Sequence, residues 1–571
     1  MTQAWLDPHE LRLGLGCMRL STDAERDEGR GLETIAAAVR AGVTVFDTAR
    51  AYGDNERLLA RALRASGAER AARIVTKGGM SRAGGGWIPD GRARAIRADC
   101  EASLEALDGL AIDLYLLHAP DPRTPWSTSV RALRRIADER LARGVGVCNV
   151  NRRQLDEAVE LAPIAAAQVA LSPFDDRALR GGLVERCAGA GIAMIAHSPL
   201  GGPRRAARLA RNDALAGLGR ELDATAAEVA LAWLLGLSPA LVAIPGARRP
   251  ETARSAAGAA RLRLTLEQHA AAGRAFGHEV PARRTRKAAA ADVVLVMGIP
   301  GAGKSVVAEE HVAAGYLRLN RDERGGSLRD LADALDEALA GGAHRVVLDN
   351  TYLSRAARSD VVAAAGRHGA AVRCIWLDTP LAQAQINLVE RLLDHAGELP
   401  EPDALRELAR AAPGLMPPTS QMRAVRELEP PDEDEGFAAV ERRAFARGPL
   451  VGEGRAGAFL AAAAATAEAL AQADPEAPHL VFDWSPSGDR AVLDAAASRV
   501  GAAVRAPVEA AICTHPAGPP RCWCRPPLPG LVLAFARRHG VDPARSLLAG
   551  TGPAHRSLAA ALGARYLHPS G

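Results

Sequence analysis

Between residues 11 and 246, eight short apolar runs alternate with amphipathic stretches, and this alternation constrains the fold more than any other feature of the chain. The runs are LRLGLGCM, VTVFDTA, RIVTKGG, IDLYLLHAP, GVGVCNV, AAAQVALSP, IAMIAHSP and ALVAIPGA. Between them, segments such as GLETIAAAVRAG, NERLLARALRA and IRADCEASLEALDG have the spacing of helices with one apolar face. Parallel strands buried on both faces read as continuous apolar runs. Eight strands, each followed by a helix, is the count of a (β/α)8 TIM barrel, whose chemistry sits at the strand C-terminal ends. Polar residues fall at those ends: Asp47, Lys77, His118, Asn149, Gln168 and Ser198.

GLGCMRLS, FDTARAYGDNE, VTKGG, LLHAPDP, GVCNVN, HSPLGG and IPGARRPETAR, in this order over roughly residues 8 to 275, resemble the landmarks of the aldo-keto reductase family. The resemblance implies a catalytic tetrad of Asp47, Tyr52, Lys77 and His118. Carbonyl reduction needs a hydride donor and a group that protonates the developing alkoxide. A tyrosine is too weak an acid near neutrality unless an ammonium favours its phenolate, so Lys77, held by Asp47, is expected to lower the Tyr52 pKa while His118 orients the carbonyl. The resemblance further implies that Asn149, Gln168, Ser198, Leu200, Gly201 and Gly246 hold the cofactor. Arg248 and Arg254 would then face an adenosine 2′-phosphate, which favours NADPH over NADH. Three positions depart from the family pattern: Cys148 replaces a serine, His197 an aromatic ring, and Ala256 an asparagine, which is expected to weaken cofactor affinity.

At 571 residues the chain exceeds one core, and its length predicts about three or four domains. Its basic residues are almost all arginine; the three lysines are Lys77, Lys287 and Lys304. Lys287 lies in the basic, alanine-rich PARRTRKAAAAD, which reads as a linker, whereas Lys77 and Lys304 lie inside motifs, where a compact charge is not replaced by a planar guanidinium. Lys304 ends Gly298-x4-Gly303-Lys304-Ser305, between an apolar run (VVLVMG) and a helix-like stretch, which is the context of a phosphate-binding P-loop. Backbone N–H groups of Gly298, Gly301, Gly303 and Val306 are expected to cradle ATP phosphates, Lys304 to reach the β- and γ-phosphates, and Ser305 to bind Mg²⁺.

Downstream, Asn320-Arg321-Asp322, then Asp349-Asn350-Thr351, then VRCIWLDTPLAQAQINLVERL resemble the kinase domain of polynucleotide kinase-phosphatase over roughly residues 291 to 446. That resemblance implies Asp322 as the general base for a 5′-hydroxyl, with Arg321, Asp349, Asn350 and Thr351 lining the acceptor site. Asp322 as a helix cap is the alternative reading. The expected lid arginine has no clear match, since Gln385 and Val389 occupy its usual positions; Arg391 is the candidate.

Cys513-x-His515-x6-Cys522-x-Cys524 is the ligand set of a structural zinc site and takes half of the eight cysteines. With the RPPLPG that follows, it resembles zinc-containing HAD-type phosphatases. Pro526 stands where those carry a phosphate-binding lysine, Gly550-Thr551 replaces a Gly-Asp acid, and no DxDGT nucleophile motif occurs. Asp483 follows an apolar run, but its second partner is Ser485, so the unit is expected to be catalytically silent.

The resulting expectation is an α/β multidomain chain. It comprises a barrel over 1–277, a basic linker over 278–290, a P-loop kinase-like domain over 291–446 and a degenerate HAD-like domain with a zinc clip over 447–571. The substrates would be a small-molecule carbonyl and nucleic-acid 5′-ends, with nucleic-acid end repair as the joint role. Two alternatives are a sugar or nucleoside kinase coupled to an aldehyde reductase, and a kinase regulated by a cofactor-sensing barrel. No apolar run reaches the ~20 residues that span a bilayer, the N-terminus does not read as a signal peptide, and the scattered cysteines do not form a disulfide framework. A cytoplasmic protein without a membrane partner is expected; the oligomeric state is left open by the sequence.

Overall fold

The computed structural model describes residues 5–7, 9–82, 86–278, 291–412, 414–443 and 454–569. Nearly all of the expected linker over 278–290, and the expected boundary near residue 447, lie outside the described residues. The chain divides into two compact units, Met1–Arg283 and Arg284–Gly571.

In the first unit, β1 (Gly14–Gly16), β2 (Val45–Asp47), β3 (Arg73–Gly78), β4 (Leu114–Leu117), β5 (Gly144–Cys148), β6 (Ile164–Ala170), β7 (Ala193–His197) and β8 (Leu241–Ile244) form one parallel sheet in chain order. Bridges Leu13–Ala243 and Gly16–Gly246 join its two edges into a ring. Val45, Val75, Leu114, Leu116, Ile195 and Val242 fill the interior. Their neighbours Phe46, Ile74, Tyr115, Leu117 and Val145 pack outward under the helices. Both faces of each strand are dry, which is why the strands read as unbroken apolar runs. Gly146 has a packing reason: a Cβ there would lie 2.3 Å from the Ala166 carbonyl oxygen. A hairpin of Met80–Ser81 and Ile88–Pro89, with no counterpart in the sequence reading, hangs over the barrel mouth and carries Trp87.

The second unit holds two parallel five-stranded sheets. The first consists of β9 (Asp292–Gly298), β10 (Leu317–Asn320), β11 (Arg345–Asp349), β12 (Ala371–Leu377) and β13 (Ala439–Arg443), in the order β10-β11-β9-β12-β13. The second consists of β14 (Ala458–Ala461), β15 (His479–Trp484), β16 (Val508–Cys513), β17 (Leu547–Ala549) and β18 (Arg565–Leu567), in the order β16-β15-β14-β17-β18. Around the second sheet lies a core that also takes in Ile386, Val389, Leu392, Leu393 and Leu405 from the helices that follow β12. Among the described residues, no helix is long and apolar enough to cross a membrane.

Candidate active sites and metal centre

At the C-terminal end of the barrel, β2 ends on Asp47 and β3 carries Lys77, both buried. Lys77 Nζ donates to Asp47 Oδ1 at 2.6 Å and to the Thr48 carbonyl at 2.8 Å. The other Asp47 oxygen accepts from Gln168 Nε2 at 2.7 Å, so Gln168 at the far side of the barrel fixes the carboxylate. Tyr52, on the short 3-10 turn Arg50–Tyr52, places its ring 5.3 Å from Lys77 Nζ. The His118 ring lies edge-on to Tyr52 at 5.7 Å, and Trp87 closes the cluster at 6.0 Å from Tyr52 and 5.8 Å from His118. The strand-end residues proposed for the tetrad are therefore brought together.

The electrostatics correct one expectation. Burial pushes the Tyr52 hydroxyl up to about 12, and the opposing pull of the Lys77 ammonium does not overcome it. Tyr52 thus holds its proton at neutral pH, and the ammonium acts by moderating the penalty of burial. Burial also shifts Lys77, downward, but the Asp47 carboxylate more than reverses this and keeps the amine charged. Burial and the same ammonium depress His118 to about 3, so its imidazole is neutral, and its Nδ1 is a buried polar atom without a protein partner.

Around this cluster, Asn149 and Ser198 adopt left-handed backbone with φ of 56° and 52°. Asn149 Nδ2 donates to the His118 carbonyl at 2.9 Å, and its Oδ1 lies 3.2 Å from His197 Nε2. His197 therefore locks the Asn149 amide. Gly201, at φ 72°, turns the chain into the helix Pro203–Leu209, with Leu200 partly buried beside it. Gly246, Arg248 and Arg254 are exposed beyond β8; Arg248 pairs with Asp23 at 3.0 Å and Arg254 with Glu251 at 3.4 Å. Cys148 is fully buried beneath the tetrad.

In the second unit, Gly298-Ile299-Pro300-Gly301-Ala302-Gly303 links β9 to the helix Lys304–Ala313. Gly301 and Gly303 have φ of 86° and 93°, and a Cβ on Gly301 would lie 2.3 Å from the Ala384 carbonyl oxygen. Lys304 Nζ folds back under the loop to the carbonyls of Gly298 and Ile299, at 3.1 and 3.0 Å. Burial depresses Lys304 to about 8, against the pull of Asp349 and Asp322 and with the push of Arg391. Ser305 and exposed Val306 open the helix beside Lys304.

Three loop supports were not singled out from the sequence. Asn387 Nδ2 donates to the Gly301 carbonyl at 2.7 Å, Thr379 Oγ1 to Ala302 at 2.9 Å, and Gln421 Nε2 to Pro300 at 3.0 Å. Thr379 lies two residues past the end of β12 and Asn387 on the helix Leu381–Ala396, and neither donor leaves a spacing pattern that ties it to the P-loop carbonyls.

Asp349 ends β11, opposite Val296 of β9 on one side and Asn320 of β10 on the other. It is buried, pairs with Arg318 and accepts from Asn320 Nδ2 at 3.1 Å. The cap of the short helix Arg321–Arg324 is Asn320, whose Oδ1 accepts from the Asp322 N–H at 2.7 Å. The Asp322 carboxylate is thus not spent as the cap; it stands half-exposed in the first turn, 3.9 Å from Arg321. Asn350 is buried and Thr351 partly so, the Thr351 carbonyl accepting from the Gly298 N–H at 3.3 Å; this N–H and that of Val306, which donates to the Gly303 carbonyl at 3.1 Å, were expected at the phosphates and are instead spent within the fold. Arg358, fully buried, pairs with Glu435 and donates to the Tyr352 carbonyl at 3.0 Å, which braces this segment from below.

Cys513 ends β16, and the loop that follows brings His515, Cys522 and Cys524 to it, all four ligand atoms lying within 4.8 Å of one another. Cys513 Sγ is 3.7 Å from Cys522 Sγ, and His515 Nδ1 is 3.5 and 3.3 Å from Cys513 and Cys524. Ligands held tetrahedrally at about 2.3 Å stand about 3.7 Å apart, so the four donors fit a zinc ion. His515 Nε2 meets Glu401 Oε2 at 2.9 Å, the carboxylate partner that orients a ligating imidazole. In an open α/β sheet a ligand binds where the strand order reverses, here at the ends of β14 and β17. The chain there offers Ala462 to Ala465 and Gly550-Thr551, while Asp483 lies on the flanking β15 with its carboxylate turned back to the Trp484 N–H.

A closed parallel barrel with an ion-paired lysine, a tyrosine and a histidine at its mouth defines a carbonyl oxidoreductase unit, and a P-loop on a second sheet defines a nucleotide-binding one. The chain belongs to the aldo-keto reductase family: the model of the Aldo/keto reductase family matches residues 12–274, and an AAA domain model matches residues 293–413. A probable aldo-keto reductase 1 from Glycine max is 31% identical over 308 residues, covering 46% of this chain and 87% of that protein. The aldo-keto reductase str7 of Strobilurus tenacellus is 29% identical over 293 residues, covering 46% and 86%. Among solved structures, the thermostable aldo-keto reductase Tm1743 is 28% identical, covering 47% of this chain and 95% of its own at a TM-score of 0.41. A Klebsiella pneumoniae aldo/keto reductase in complex with NADP and acetate is 24% identical, covering 48% and 93% at a TM-score of 0.42.

Proposed function

We propose that the chain is a bifunctional enzyme, an NADPH-dependent aldehyde reductase joined to an ATP-dependent 5′-hydroxyl polynucleotide kinase. The reductase reading rests on the Lys77–Asp47 pair beneath Tyr52. NADPH, when bound, supplies the hydride. Asn149, Gln168 and Ser198 would hold its nicotinamide end, and Arg248 and Arg254 its 2′-phosphate. Neutral His118 donates a hydrogen bond to the carbonyl oxygen. Tyr52 gives its proton to that oxygen as charge develops there, and the Lys77 ammonium stabilises the tyrosinate left behind.

The kinase reading rests on Asp322 standing uncommitted as a cap within electrostatic reach of Lys304. Lys304 and the loop N–H groups hold the γ-phosphate, Ser305 would hold Mg²⁺, and Asp322 accepts the proton of the attacking hydroxyl. Arg321, Asp349, Asn350 and Thr351 line the acceptor side, and Arg391 is the lid cation. The C-terminal unit is a zinc-clipped, HAD-like domain without phosphatase chemistry, because the strand-order reversal carries alanines where a nucleophile is required. The joint role we propose for the two activities is action on broken nucleic-acid ends, a reading prompted by their pairing in one chain.

The deciding assay offers γ-labelled ATP with a 5′-hydroxyl oligonucleotide or, separately, with sugars and nucleosides. Transfer to the oligonucleotide is expected, and transfer to small acceptors alone would refute the polynucleotide reading. NADPH oxidation with an activated aromatic aldehyde tests the barrel, and its absence would refute the reductase reading.

A further inference from the structure

The helix Leu381–Ala396 has two faces with different partners. Ala384, Asn387, Leu388 and Arg391 follow the i, i+3, i+4, i+7 spacing of one face. That face lies against the P-loop: the Ala384 carbonyl abuts Gly301, and Asn387 donates to the Gly301 carbonyl at 2.7 Å. On the other side, Ile386, Val389, Leu392 and Leu393 are buried in the core of the β14–β18 sheet, together with Phe459, Trp523 and Phe535, and Leu388 joins the two faces: it belongs to that core while its Cγ would lie 3.0 Å from a Cβ on Gly301. Further ties run the same way. Asp394 pairs with Arg537, the Met416 carbonyl accepts from Trp523 Nε1 at 3.0 Å, and Glu401 holds His515 of the four-ligand cluster at 2.9 Å. Val389, at one of the expected lid positions, is turned fully into that core.

We propose that the catalytically silent C-terminal unit works as a clamp that positions the nucleotide-facing helix, so that the kinase needs this unit and its metal clip to hold ATP. The proposal rests on the P-loop reading given above. Close-packed interiors transmit displacement: if the outer face of this helix loses its core, the face that shapes Gly301 moves with it. Glu401 opens the helix Pro402–Ala411, which contributes Leu405 to the same core, so the metal cluster secures the segment directly after the lid helix.

The test uses the full chain. It compares parent protein, Leu393→Ala, and parent stripped of metal by a zinc chelator, with NADPH oxidation as the control for the integrity of the barrel unit. Binding of a fluorescent ATP analogue and amide exchange over residues 298–305 and 381–396 are measured in each. Leu393→Ala and metal removal should each weaken analogue binding by about 3- to 30-fold, the effect of altering a coupling element, and should speed exchange in both segments. Unchanged exchange at 298–305 in Leu393→Ala overturns the clamp whether or not the analogue binds. A parent that fails to bind the analogue refutes instead the P-loop reading. If the chelated protein matches the parent while Leu393→Ala does not, the metal's share in the clamp is refuted and the apolar interface alone carries it.

Discussion

Replacing Asp47 by Asn keeps the shape of the tetrad and removes one charge. The Lys77 ammonium then stands buried with no counter-ion, since Asp47 Oδ1 at 2.6 Å is its ionic partner and its other contact is the neutral Thr48 carbonyl. At an effective dielectric of about 20, two charges at that separation attract by roughly 6 kcal/mol before desolvation is counted. Removing one member of a buried pair typically costs about 3–5 kcal/mol. For a unit of this size that corresponds to roughly 6–20 °C in the melting temperature of the barrel.

Part of the cost is avoided if Lys77 gives up its proton, because burial alone lowers it. That neutralisation removes the charge that stabilises tyrosinate, so NADPH oxidation should fall by about 10²- to 10⁴-fold, the usual contribution of a positioned acid. The pH dependence has a definite sign. In the parent, Asp47 keeps Lys77 charged across the working range, and the pair stabilises the fold below the ordinary lysine value of about 10.4, an effect lost as pH rises further. In Asp47→Asn the lysine pKa is depressed, so residual activity should decline with rising pH where the parent is flat. Thermal melting and kcat–pH profiles of both proteins decide the matter. A variant that melts with the parent and keeps a flat profile would refute the role given to this pair.

Lys304→Ala should abolish phosphate transfer, and because burial depresses Lys304 to about 8, ATP affinity of the parent should weaken as pH rises through that value, as titration calorimetry at several pH values would show. Asp322→Ala should slow transfer by about 10²- to 10⁴-fold with ATP binding unchanged; the reverse pattern in single-turnover and binding measurements would make Asp322 a donor-side residue. Arg358→Met leaves the buried Glu435 unpaired and should destabilise the second unit by about 3–5 kcal/mol, while Arg358→Met/Glu435→Met should restore most of that in denaturant unfolding. Cys522→Ser/Cys524→Ser should lose the one zinc expected per chain, as measured by metal analysis of the purified protein.

The barrel was legible in the sequence because strands buried on both faces leave uninterrupted apolar runs, and because the reductase signature residues sit immediately after them. The P-loop was legible for a related reason: a glycine loop that wraps phosphate needs its glycines and lysine at fixed spacing, and that spacing survives as a string. Cys513, His515, Cys522 and Cys524 were legible as a set, but Glu401, more than a hundred residues away, was not. Contacts distant along the chain leave no local pattern. For that reason only the tertiary structure decided that Gln168 anchors Asp47, that Trp87 closes the reductase mouth, and that Val389 faces a core while Arg391 stays exposed. The Tyr52 pKa belongs to the same class: the sequence announces the neighbouring ammonium, but desolvation depends on how completely the ring is enclosed, and enclosure exists only once the chain is folded.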